Sequence, residues 1–261
     1  MTGPDTAGPD ARRGHYSYEH YRSREVAEGF DALRFSGPIG RLLLETQQAL
    51  LGRALAPLAG KRVLDVGTGT GRAALAFASA GATVIGVDAS AEMLAVAQRH
   101  AAERGLSASF QVGDAHALPF GNQEFDAAVS LRVIMHTPGW RTCVAELCRV
   151  SRGRVVVDFP SMGSVAALES ALRRLRQKLG SKVEAYRVLR ESAVRESLES
   201  AGFRVIETHR QFVLPINFHK LLDSRRVTVG IEGALATVGL LRLFGSPVTM
   251  VAERQGLASL A

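Results

Sequence analysis

Three acidic residues each close an apolar run. Asp65 lies in Val63-Leu64-Asp65-Val66, Asp88 ends Thr83-Val84-Ile85-Gly86-Val87-Asp88, and Asp114 follows Ala108-Ser109-Phe110-Gln111-Val112-Gly113. After the first comes the turn Gly67-Thr68-Gly69-Thr70-Gly71. Glycine lacks a Cβ and accepts positive φ, so such a turn lets a ligand lie against bare backbone. The helix expected from Arg72 to Ala80 then presents free N–H groups to that ligand. Asp65, just ahead of Gly67, would repel a pyrophosphate and attract an ammonium. Asp88 stands 17 residues after Gly71, near the roughly 20-residue spacing of a ribose-binding carboxylate. One carboxylate can accept from both ribose hydroxyls. The pattern therefore predicts a site for a nucleoside whose other end is cationic.

The dinucleotide fingerprint needs glycine at its first, third and sixth positions. Here glycine occupies positions one, three and five, and Arg72 stands sixth, which weighs against a nicotinamide oxidoreductase. S-adenosylmethionine (SAM) carries an ammonium with a sulfonium beside it, and so meets the requirement. The segment Val63 to Gly71 resembles motif I of the class I SAM-dependent methyltransferases, and the resemblance extends over about Tyr16 to Arg254. It implies that Asp114 accepts from the adenine amino group and that the backbone N–H of Ala115 meets a ring nitrogen. It also implies an N-terminal lid with tyrosines, among them Tyr21, closing over the cofactor. With Ser90 as the expected N-cap of the next helix, Met93 falls in its first turn, where it could cover one face of the adenine. The expected cofactor set is Asp65, Gly67, Thr68, Gly69, Gly71, Asp88, Ala89, Met93, Asp114, Ala115, Leu131 and Tyr21, with S-adenosylhomocysteine (SAH) as product.

The methyl acceptor should meet the residues just past the fourth strand: Ser130, Leu131, Arg132, His136 and Thr137. His136 is the candidate base, because imidazole titrates near neutrality, and it tilts the expectation towards oxygen over carbon or nitrogen. Arg132 could bind an anionic acceptor or pair with a nearby acid. His219, in a long later connection, is a further substrate-side candidate, and His116 either lines the cofactor pocket or has no role. Enzymes that methylate amino groups of nucleic-acid bases carry Asn/Asp-Pro-Pro-aromatic where this chain reads Ser130-Leu131-Arg132-Val133. RNA cytosine-5 enzymes need a cysteine there, and Cys143 lies well into the next helix. The layout resembles the enzymes that methylate quinones, lipids, polyketides, sugars and other small metabolites, with no metal constellation. An RNA methyltransferase and a non-catalytic SAM-binding accessory protein are the alternatives. The first rests on charge alone, and nucleic acid is not the expected partner.

These groups must be held by an α/β fold. The resemblance implies a Rossmann-like seven-stranded sheet, mostly parallel with the last strand antiparallel, flanked by helices, with N-terminal lid helices; the long apolar and basic connection adds a helical insertion before the last strand. Residues 1–14, rich in Gly, Pro and charge, read as a disordered tail. Residues 15–261 read as one domain: lid and front helices over 15–58, a SAM-binding half over 61–159, and an acceptor-side half over 160–261 containing the insertion 215–245. The chain has 261 residues, 46% of them hydrophobic, and a formal net charge of +7. Between Arg152 and Arg195 ten Lys/Arg face four Asp/Glu, a bias that suits an anionic surface or substrate. The insertion mixes apolar stretches with Lys220, Arg225, Arg226 and Arg242, which fits a cap over the acceptor or a peripheral membrane contact. The N-terminus has no apolar core of a signal peptide and no apolar run is long enough to span a bilayer. A cytoplasmic protein, with membrane association through 215–245 left open, is the expectation. Cys143 and Cys148, five apart on one expected helix, do not face each other and read as small buried residues. The sequence leaves the oligomeric state open.

Overall fold

A computed structural model describes residues 23–178 and 186–256; the expected tail and Tyr21 lie outside them. In chain order the elements are α1 (Arg24–Phe35), α2 (Gly37–Leu55), β1 (Arg62–Val66), α3 (Arg72–Ser79), β2 (Thr83–Asp88), α4 (Ala91–Glu103), β3 (Ala108–Val112) and β4 (Phe125–Ser130). Then follow α5 (Trp140–Val150), β5 (Ser151–Phe159), α6 (Val165–Lys178), α7 (Glu191–Ser200), β6 (Phe203–Phe212), α8 (Ile216–Leu222), α9 (Arg225–Thr237), α10 (Leu240–Phe244) and β7 (Ser246–Arg254).

The strands form one sheet in the order β3-β2-β1-β4-β5-β7-β6. The first five are parallel, and β7 runs antiparallel to both β5 and β6. The order reverses between β1 and β4, so the loops leaving the carboxyl ends of those strands flank a crevice, which is where ligands bind in open α/β sheets.

Central strands here are near-continuous apolar runs because both faces of the sheet are covered. The period-2 alternation of strand side chains divides them. Leu64, Val66, Ala128, Val155, Val157, Met250 and Ala252 pack into the cluster that holds α5 and α7. Val63, Ala127, Val129, Val156 and Val251 pack on the opposite face against α2 and α3. Both cysteines are buried in α5 and neither forms a disulfide, and burial raises the Cys148 thiol to about 12.

Local signals fix the ends of the helices that border the crevice. Ser90 caps α4, its hydroxyl accepting from the Met93 N–H at 3.1 Å. Ser23 and Ser224 cap α1 and α9 in the same way. The insertion is helical, as expected, but in three short pieces. Asp223 takes a left-handed conformation after α8 and Gly239 another before α10, so the chain turns twice within it. Among the described residues no helix is long and apolar enough to cross a membrane.

Candidate active site

The turn after β1 is held from behind. Gly67 and Thr68 donate their N–H groups to the Val87 carbonyl at 2.7 and 3.0 Å, which ties the turn to β2. Gly67 and Gly69 have φ of 71° and 56°. A Cβ on Gly67 would overlap the Val133 side chain, whereas one on Gly69 would meet nothing within 4 Å. The first glycine is therefore needed for packing, and the second leaves bare backbone facing a cavity.

Asp88 organises the floor of that cavity. Its carboxylate accepts from the Gly69 N–H at 2.8 Å on one oxygen and from the Ser90 N–H at 2.9 Å on the other. Each carboxylate oxygen has two acceptor sites, so both retain capacity for a ligand hydroxyl. Burial pushes the Asp88 carboxyl above the usual range, opposed by those N–H groups. Asp65 lies beneath the turn and not in the cavity wall. One oxygen accepts from the Thr68 hydroxyl at 2.7 Å and from the Ala74 N–H at 3.2 Å, and burial raises its carboxyl to about 6.

Gly67, Thr68, Gly69, Asp88, Ala89, Met93, Ala115 and Leu131 line the cavity, as do Arg132 and His136. Gly71 and Asp114 do not. Gly71 instead closes the turn, donating to the Thr68 carbonyl and accepting from Leu75. Asp114 holds His116 through both the backbone N–H, at 2.9 Å, and Nδ1, at 2.6 Å. Nε2 of His116 bonds the Pro138 carbonyl, so this buried histidine staples the β3 loop to the segment carrying His136.

The expected N-terminal lid and front helices supply the roof, but sequence reasoning did not single out the residues that form it. Phe30 and Arg34 of α1 and Gln47 of α2 also line the cavity. Asp31 of α1 accepts from the Thr70 hydroxyl at 2.9 Å and sits 3.2 Å from Arg72 Nε. Thus the front helix is docked on the glycine turn itself. Arg72 stacks 3.4 Å over the Phe35 ring, burial lowers its guanidinium to about 10, and its Nη1 is buried without a hydrogen-bond partner among the described residues. The helical spacing of Phe30, Asp31, Arg34 and Phe35 was the available signal.

A second cavity adjoins the first, and Arg34, Arg132 and His136 line both. Its further walls include Leu43, Asp158, Phe159, Arg173, Tyr186, Phe212, Ile216 and Lys220. Arg132 adopts a left-handed φ of 60° just past β4, and its N–H bonds the buried Asp158 carboxylate. On another wall Arg173 and Glu169 pair at 2.7 Å, and burial with the Glu169 charge raises the Tyr186 phenol to about 12. The reading of His219 as a substrate contact is corrected. It is fully buried, lines neither cavity, and bonds Glu232 at 2.8 Å. Its position on the inner face of α8 turns it from the cavity that Lys220, one residue on, reaches.

Residues 63–153 match the methyltransferase-domain family. The chain is 36% identical over 202 residues to the demethylmenaquinone methyltransferase of Thermus thermophilus, covering 69% of this chain and 90% of that protein. It is 41% identical over 115 residues to an uncharacterized protein of Mycobacterium tuberculosis, a match that spans 42% of this chain and 42% of that relative's length. In fold it resembles the magnesium protoporphyrin IX methyltransferase of Synechocystis crystallised with SAH, with a TM-score of 0.64 and 20% identity over 92% of this chain and 98% of that one.

Proposed function

The chain belongs to the class I SAM-dependent methyltransferases, and on that premise we propose that it methylates a small, partly apolar acceptor held in the second cavity. The observation that carries this reading is the shared wall. Arg132 and His136 face a nucleotide-type cavity on one side and an apolar-walled cavity on the other.

The residues of the first cavity suit SAM. The Asp88 carboxylate would hold the ribose hydroxyls, and Met93 would lie against the adenine. Arg72 Nη1, buried with no hydrogen-bond partner among the described residues, is a donor that the carboxylate of SAM would meet. When bound, SAM provides an electrophilic methyl on a cationic sulfur. The protein's part is to align the acceptor with that methyl, a source of much of the rate in such displacements, and to keep water out with α1 and α2. For a hydroxyl acceptor His136 would take the proton as the oxygen gains the methyl. The likeness to a quinone-modifying relative and the walls of Leu43, Phe159 and Phe212 favour a quinone, lipid or natural-product acceptor.

A peripheral membrane contact fits the same reading. Val165, Leu168, Leu172 and Leu175 make an exposed apolar stripe along α6, and Arg173 and Arg176 line the same groove as its first three residues. Val165 continues into the second cavity. A lipid-soluble acceptor could enter from an anionic bilayer along this stripe.

Calorimetric titration with SAM, SAH and NADH tests the cofactor. Binding of both adenosyl ligands and not NADH is expected; NADH binding alone would overturn the reading. Transfer of labelled methyl from SAM to a panel of hydroxylated quinones and lipids then tests the acceptor class.

A further inference from the structure

We propose that Asp158 selects the acceptor: one oxygen of its carboxylate takes a hydrogen bond from a hydroxyl or amino group that the acceptor carries in addition to the atom it has methylated. The proposal rests on the methyltransferase reading for the identity of the second cavity as the acceptor's.

Asp158 stands at the carboxyl end of β5. It is 2% exposed and lines the second cavity. Oδ1 accepts from the Arg132 N–H. Oδ2 has no hydrogen-bond partner among the described residues, and it is not one of their sealed, unpartnered atoms. The little surface that the residue keeps therefore includes this oxygen. Its strand neighbours Val156, Val157 and Phe159 are packed into the two cores, so the cavity is what Oδ2 faces. The bond from Oδ1 to the Arg132 N–H also fixes the rotation of the carboxylate, which aims the lone pairs of Oδ2.

A buried carboxylate oxygen without a donor is costly. The cost shows in the carboxyl itself: burial pushes it above the usual range, against the Arg132 charge, the Arg132 N–H and the Arg72 charge. A donor from a ligand would stabilise the ionised form and offset part of that cost. Glu169, the other carboxylate in the wall, is engaged by Arg173 at 2.7 Å.

Arg132 and His136 line both cavities, whereas Asp158 lines the second and not the first. The group held by Asp158 therefore lies away from the methyl donor and is distinct from the atom that receives the methyl. Holding it there would fix which part of the acceptor turns towards the cofactor. A site built around such a bond also rejects analogues that lack the donor, because its own buried oxygen is then left unpaired.

The test uses three probes that differ at one position: 2-naphthol, 2-methoxynaphthalene and naphthalene. Each is equilibrated by dialysis against the full chain at pH 7, with and without SAH. We expect the wild type to hold the naphthol at least about tenfold more tightly than the ether, the size of one hydrogen bond to a charged group. In Asp158→Asn the Arg132 N–H still needs an acceptor, so the amide oxygen takes the place of Oδ1 and the NH2 group faces the cavity. Hydroxyl and ether oxygens both accept from an NH2 group, so the preference should fall to within about threefold while naphthalene stays within about twofold of the wild type. His136→Ala should keep the preference. If Asp158→Asn does not fold, the wild-type order and His136→Ala decide. Equal affinities for naphthol and ether in the wild type, an undiminished preference in Asp158→Asn, its loss in His136→Ala, or parallel weakening of all three probes in Asp158→Asn would each overturn the proposal. SAH titrated into the same samples is read independently. Failure of SAH to bind would sink the methyltransferase reading without touching the probe comparison.

Discussion

His219 Nε2 and Glu232 Oε1 lie 2.8 Å apart inside the insertion, with both side chains buried. The same carboxylate accepts from the Val213 and Leu214 N–H groups at 2.7 and 3.0 Å. Glu232 of α9 therefore joins α8 to the end of β6, where the backbone has left the sheet ladder and its donors would otherwise go unpaired. Leu214, Pro215 and Ile216, which follow this joint, line the second cavity. Glu232→Ala would strand one buried and one half-buried N–H group and a buried histidine. At about 1–3 kcal/mol for each unsatisfied group, a loss of about 3 kcal/mol or more in urea unfolding is expected. A loss below about 1 kcal/mol would show that the insertion is not anchored here.

The pH dependence of stability isolates Asp65. Its folded carboxyl is raised from 3.8 to about 6, chiefly by burial. A carboxyl raised on folding favours the folded state only while it is protonated. Its contribution is complete below the unfolded value and is lost as pH climbs through about 6. Linkage at about 1.4 kcal/mol per pH unit makes the loss about 3 kcal/mol between pH 4 and neutrality. Asp65→Asn should flatten that slope in the ligand-free protein, read by urea unfolding at pH 4.5 and 7, and should leave it no less stable at pH 7. An unchanged slope would show that the charge is compensated in place.

Strand ends and the glycine turn were legible because they are local. Asp65, Asp88 and Asp114 fall at the carboxyl ends of β1, β2 and β3 as their apolar runs put them, but of the three Asp88 alone lines the cavity. The antiparallel β7 followed from the family resemblance and from no pattern in the residues. Side-chain aim was not legible. Nothing in Val63-Leu64-Asp65 tells that the carboxylate turns under the loop to Thr68, and nothing in Asp114-Ala115-His116 tells that Asp114 is engaged by the histidine two residues on. His219 and Lys220 are neighbours in sequence, yet the helix turns one inward to Glu232 and the other to the cavity. Arg34 and Lys220 meet only through tertiary packing of two helices that no motif marks.

Asp88 has a double duty that shapes the outcome of its removal. Its two oxygens hold the Gly69 and Ser90 N–H groups while facing the cavity. Asp88→Ala should therefore weaken SAM binding by about a hundredfold or more, combining lost ribose hydrogen bonds of about 1.5–3 kcal/mol with a loosened turn. Calorimetry at pH 7 measures it. Affinity within threefold of wild type would remove Asp88 from the ribose.

His136 borders both cavities, and its N–H closes a turn onto the Val133 carbonyl at 2.8 Å. That bond belongs to the backbone, so His136→Ala keeps it while removing the imidazole. General-base catalysis contributes typically 10²–10⁴-fold, so turnover with a hydroxyl acceptor should fall by at least about a hundredfold, with SAH affinity nearly unchanged. A matching loss of SAH affinity would make the residue a cofactor contact, and undiminished turnover would exclude it as the base.

The α6 stripe gives the reading of an apolar acceptor a physical consequence outside the cavity. Leu168, Leu172 and Leu175 are 63%, 51% and 55% exposed, which puts the apolar side of an amphipathic helix in water. Arg173 and Arg176 line the same groove as Leu168 and Leu172, on a chain of net charge +7. Such a helix side is stabilised at an interface where lipid tails cover the leucines and anionic headgroups meet the arginines, each basic residue near the surface contributing about 1 kcal/mol. The protein should therefore float with vesicles containing phosphatidylglycerol and remain behind with pure phosphatidylcholine. High salt should release it, since screening acts on the arginine contribution. Replacing Leu168 and Leu172 by serine should abolish flotation while leaving SAH affinity intact, because neither residue lines the cofactor cavity. Equal flotation of the serine variant would mean that charge alone holds the protein, and the leucines would then need another partner.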